Sequence, residues 1–101
     1  MIETIRDQVA KGQWEFSLHA TRQVIARAIA TVEVAEVIAS GEVIEDYPND
    51  KYGPSVLLPG RTPRGRVLHM QCTYPTRPLV KIITVYEPDP TQWDEALKHR
   101  K

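Results

Sequence analysis

The sequence predicts one α+β domain spanning residues 1–101, with N-terminal helices packed on a four-stranded antiparallel sheet and a short C-terminal helix. Apolar residues recur at helical spacing as far as Ser40, and from Glu42 onward the period shortens to two, with turn-forming segments between the runs. The 101 residues, 42% apolar and 26% charged, suffice for one core. All eight prolines lie between Pro48 and Pro90 and the five glycines are scattered, which fits neither a disordered nor a collagen-like chain.

Each element has a local cause. Ile2, Ile5 and Val9 fall at i, i+3 and i+7, so residues 2–11 read as an amphipathic helix, with Gly12 placed for a left-handed end. Trp14, Phe16 and Leu18 alternate with Glu15 and Ser17 as a short extended piece, and Ser17 is suited to cap a second helix from Leu18 to about Ile29. Leu18, Ile25, Ala28 and Ile29 form its expected inward stripe. Thr31 is the expected cap of a third helix with Val34, Val37 and Ile38 inward, closed by Ser40-Gly41.

Strands are expected at Val43–Tyr47, Ser55–Pro59, Arg66–Tyr74 and Leu79–Tyr86, separated by Pro48–Lys51, Gly60–Gly65 and Pro75–Pro78. Asp89-Pro90-Thr91-Gln92 reads as a helix start, with Trp93 and Leu97 on one face and a solvated basic tail at residues 98–101.

Several chemistries lack their residues. No apolar run reaches about 18 residues, and Glu3 and Asp7 replace a basic leader, so a soluble, cytoplasmic protein with no membrane partner is expected. Cys72 is the sole cysteine, which leaves no internal disulfide. The His69–Cys72 pair would need distant ligands to hold a metal, so no metal and no cofactor is expected, and Cys72 is expected to pack as a small hydrophobe on a strand. There is no H-E-x-x-H, P-loop or G-x-S-x-G motif.

The net charge is zero but uneven: residues 1–50 hold four Lys/Arg against nine Asp/Glu, and residues 51–101 hold nine against four. Lys51, Arg61, Arg64, Arg66, Arg77 and Lys81 lie in a stretch without any acid before Glu87. Such a segment is either a solvated sheet face or a surface for phosphates or an acidic protein. His19, Gln23 and Arg27 follow at i, i+4 and i+8, within an arc of about 80° on the second helix. His69 stands mid-strand with Gln71 and Thr73 on one face, and the last strand divides into Leu79, Lys81, Ile83, Val85 and Val80, Ile82, Thr84, Tyr86. Histidine, tyrosine, arginine and lysine can supply the base, acid and charge stabilisation of a metal-free ribonuclease.

Phe16-Ser17-Leu18-His19-Ala20, then Arg27, Gly41 to Pro48, Arg66-Val67-Leu68-His69 and Ile83 to Asp89 together resemble the domain of unknown function 4258 family, from about Phe16 to Trp93. That family is similar to RelE-like and BrnT-like toxins. The resemblance implies their α+β fold, RNA cleavage without a metal, RNA as partner and a cognate DNA-binding antitoxin. It carries His19, Arg27 and His69 as catalytic candidates and Tyr47 and Tyr86 as weaker ones; from the cationic segment itself, Arg61, Arg64, Arg66 and Lys81 are the expected RNA- and phosphate-binding residues. Two positions depart from the family pattern: Gln23 stands where members often have arginine, and Ala28 where they tend to have glycine. Alanine tolerates positive φ poorly, so a differently formed helix junction is expected there. Two other readings are a catalytically silent module that docks RNA or an acidic protein through its basic sheet, and a homodimer formed by the helical half.

Overall fold

All four strand candidates of the sequence form, and a fifth joins them. The structure is a computed structural model that describes residues 1–51 and 53–93. The elements are α1 (Ile2–Ala10), β1 (Trp14–Phe16), α2 (Leu18–Ala26), α3 (Thr31–Ser40), β2 (Glu45–Tyr47), β3 (Ser55–Arg61), β4 (Val67–Thr73) and β5 (Val80–Tyr86). The sheet runs β1-β5-β4-β3-β2, antiparallel except that β1 lies parallel to β5, with Trp14 opposite Val80 and Phe16 opposite Ile82. The expected four-stranded antiparallel sheet is therefore a five-stranded mixed one. A piece of three residues is too short for its alternation to announce a strand, and its partner lies far along the chain.

The core lies between the helices and one sheet face: Ile5, Val9, Ala20, Ile29, Val34, Val37 and Ile38 meet Val56, Leu58, Leu68, Met70, Cys72, Val80, Ile82 and Val85. α3 lies so close to β3 that a Cβ on Gly60 would sit 2.6 Å from Val37 Cγ1 and 3.0 Å from the Val37 carbonyl oxygen. The β4–β5 register pairs Gln71 with Thr84 and Cys72 with Ile82, leaving Ile83 as a bulge. The bulge breaks the alternation expected for the last strand. Lys81, Thr84 and Tyr86 thus join Thr73, Gln71 and His69 on the face away from the core, while Val80, Ile82 and Val85 all point into it.

On α2 the inward residues are Ala20 and Val24, and the expected core residues Leu18 and Ile25 are exposed. Their turn outward follows from the helix entry: Ser17 is bonded to β5, which fixes the rotation of the helix about its axis. The helix stops at Ala26, short of the expected Ile29. Ile29 N–H donates to the Val24 carbonyl at 2.8 Å and Ala28 N–H to Ile25 at 3.3 Å, with Ala28 at φ 52°. This is the Schellman arrangement, which α1 also makes with Gly12 at φ 73°. The junction therefore takes the shape a glycine would give, contrary to the expectation from Ala28, and alanine bears the strain. Nor is Thr31 the cap of α3: Ala30 holds that position, and its N–H donates to Glu33 Oε1 at 2.9 Å.

Arg66 ties this junction to the sheet. Its guanidinium donates to the carbonyls of Arg27 at 2.6 Å and Ala28 at 3.1 Å and to Glu87 Oε1 at 3.1 Å, with Glu33 Oε1 3.8 Å away. The expected C-terminal helix opens only as a turn, in which Thr91 and Gln92 N–H groups donate to Asp89, and Trp93 makes an isolated bridge. Leu97 and the tail at 98–101 lie outside the described residues.

Two stability measurements follow. Ala28→Gly relieves a left-handed alanine that costs about 1–2 kcal/mol, against glycine's extra entropy in the unfolded chain, so a net gain of about 0.5–1 kcal/mol is expected in denaturant unfolding. A loss of stability would mean that Ala28 is unstrained. Arg66→Ala is expected to remove about 1–2 kcal/mol, and Arg66→Lys to recover less than half, because one ammonium cannot span the acceptors of a planar fork. Unchanged unfolding of Arg66→Ala would show that these bonds do not hold the junction.

Candidate functional site

Ser17 begins the site. In extended conformation at the start of α2, it accepts the Ala20 N–H on Oγ at 3.0 Å and donates that hydroxyl to the Ile83 carbonyl at 2.8 Å. Its N–H donates to the Ile82 carbonyl at 2.9 Å. Further along α2, Gln23 Oε1 accepts the Val85 N–H at 2.7 Å. Past the last residue of β1, the edge of β5 is thus paired by α2's first residues and side chains instead of by a strand.

This mounting carries His19 over the polar sheet face. His19 is exposed and lines an open cleft of about 700 Å³ with Ser17, Thr73, Arg77, Lys81, Ile83 and Thr84. Thr73 Oγ1 accepts the Lys81 N–H at 2.9 Å, which fixes the floor where β4 meets β5. Lys81 Nζ lies 3.7 Å from Glu15 Oε1, a pair with both side chains more than a third exposed and hence weakly bound. One imidazole, two cations and three hydroxyls share the cleft. Such a set can accept a proton, hold an anion and donate hydrogen bonds to it.

His69 is not among them. It shares a sheet face with the cleft but is completely buried, with the Trp93 ring 4.5 Å away edge to face and the Tyr86 ring at 5.5 Å. Its Nδ1 lies 3.4 Å from Tyr86 Oη. From His69 to Thr73, on the cleft floor, is roughly 13 Å along β4. Cys72, by contrast, points into the core on the other face of β4, so the His69–Cys72 spacing gathers no ligands. Burial pushes the Cys72 thiol up to about 12. Among the described residues no three His, Cys, Asp or Glu side chains cluster as a metal would require.

The remaining candidates are dispersed. Lys81 stands at the His19 end of the sheet, whereas Arg61 pairs with Val67 at the opposite end, where Arg64 occupies the β3–β4 turn. Arg61 Nη1 donates to the Gly65 carbonyl at 3.3 Å within that turn, and Arg66 is engaged at the helix junction. Arg27 caps the far end of α2 and is exposed. Tyr47 lies on the far edge strand, where its hydroxyl donates to Glu45. Tyr74 donates to Asp46, and that bond holds its phenol above the ordinary value. Nothing in the sequence alone marks Arg77, Thr73 and Thr84 as site residues. Arg77 belonged to the acid-free segment, but only the bulge reveals that the two threonines face the same cleft.

No curated protein and no solved structure matches the chain. A family described as a domain of unknown function, DUF4258, matches residues 16–87, a span that runs from the end of β1 to just past β5 and contains Ser17, His19 and the whole cleft. The chain belongs to the DUF4258 family.

Proposed function

We propose that the protein is a metal-independent endoribonuclease, the toxin of a type II toxin–antitoxin system, and that its RNA-cleaving centre is the His19 cleft. The observation that carries this reading is the meeting of an accessible imidazole with Lys81 and Arg77 over one open floor. In this scheme His19 takes the proton of a ribose 2′-hydroxyl, and the freed oxygen attacks the adjacent phosphorus. The O2′–P bond forms, the P–O5′ bond breaks, and the products are a 2′,3′-cyclic phosphate and a 5′-hydroxyl. Lys81 and Arg77 offset the charge that accumulates on the phosphorane, and the leaving oxygen takes its proton from the Lys81 ammonium or from water. The reading assigns no proton transfer to His69, which Trp93 covers.

That same burial favours a second reading, in which the cleft grips the RNA backbone without turning it over. The two separate on one experiment: purified protein is incubated with single-stranded RNA in the presence of a chelator. Cleavage is expected from the wild type and should fall by about 10²-fold or more in His19→Ala, while the melting temperature stays put because His19 is exposed. Equal cleavage by the two proteins removes His19 from the chemistry. Binding without cleavage, weakening with salt and losing about one unit of salt slope in Lys81→Ala, selects the silent reading.

A further inference from the structure

We propose that the outer face of α2 docks an amphipathic helix of another protein whose apolar stripe is flanked by acidic side chains. Leu18 and Ile25 are 68% and 74% exposed and stand two turns apart, on one line of the helix opposite its buried Ala20. Scattered exposed apolar residues are ordinary, but two large ones seven residues apart share one line of the helix and offer a partner helix two anchors.

Charge selects the kind of helix. α2 has no acidic residue between Leu18 and Ala26, and Arg22 lies between the two apolar side chains in the same outward arc. Arg22 is exposed and forms no ion pair among the described residues. Acidic residues beside the partner's stripe would meet Arg22. A second copy of this chain fits poorly. Two-fold pairing would set each Leu18 against the other chain's Ile25, and this brings the two Arg22 side chains together near the axis without any acid on either helix. The proposal is independent of the RNA reading, since it uses the face of α2 that lies beside the cleft and not the cleft itself.

The test uses two synthetic helices of about three heptads, both with Leu at a and d, one with Glu and the other with Lys at e and g. Binding to the full chain is measured by titration calorimetry at about 0.15 M salt. The Glu helix should bind at least about tenfold more tightly than the Lys helix. Ile25→Glu should weaken it by at least about tenfold, whereas Val43→Glu, at an exposed position beside the opposite edge strand of the sheet, should leave it unchanged. Arg22→Glu, which keeps the apolar seam, should reverse the preference between the helices and serves if Ile25→Glu alters the fold. The proposal is overturned if neither helix binds, if both bind alike, or if Ile25→Glu and Arg22→Glu have no effect. A wild-type dimer in sedimentation that Ile25→Glu dissociates overturns it in favour of self-association.

Discussion

The Ser17 side chain is the joint on which the candidate site depends. It joins three things: the end of β1, the first turn of α2 and the bulge of β5. A hydroxyl can do this because it donates and accepts at once, taking the Ala20 N–H while giving its proton to the Ile83 carbonyl. The result is a helix whose rotation about its axis is fixed from its first residue. That rotation sends Ala20 into the core, Leu18 and Ile25 into solvent, and His19 over the cleft. A helix placed by hydrophobic periodicity alone would have turned its larger apolar residues inward.

This explains which parts of the fold were legible in the sequence. Elements governed by their own residues were readable: Gly12 at the end of α1, Ser17 as a cap, and the alternation of β4 with His69, Gln71 and Thr73 on one face. Elements governed by distant partners were not. β1 exists as a strand because β5 lies beside it, and the bulge at Ile83 sits on the stretch of β5 edge that Ser17 and Gln23 bond. The bulge then shifts alternation by one residue. A strict period of two set Lys81 apart from Thr84, whereas both line the cleft. For the candidate site, His19 and Lys81 were legible as residue types, but their convergence rests on that one inserted residue.

The acid-free stretch before Glu87 also changes meaning once folded. In sequence it resembles one continuous cationic surface. In space its charges separate to the two ends of the sheet, where Arg66 draws Glu33 and Glu87, and Lys81 draws Glu15, from outside the stretch. The pairs differ in kind. Arg66 also satisfies the last carbonyls of α2, so its charge is spent on closing a helix end, as a cation at a helix C-terminus should be. Lys81 has one exposed carboxylate at 3.7 Å, a contact that an incoming phosphate could replace. Linear charge density therefore overstates the continuous cationic surface, and the cleft gathers Arg77 and Lys81 at the His19 end.

Gln23 shows the same distinction between charge and connectivity. Where arginine is the residue that the family resemblance leads one to expect, this chain uses an amide oxygen to receive the Val85 N–H. Arginine has donors only, so it could not make that bond, and the Val85 N–H would need another acceptor. Glutamine here leaves the side of α2 that faces β5 without a cation and adds an anchor between helix and strand. In the proposed function an anion is therefore held by Arg77 and Lys81, which line the cleft with His19. A chain with arginine at this position would have the opposite balance: more charge beside the histidine, and a helix held to β5 chiefly through Ser17.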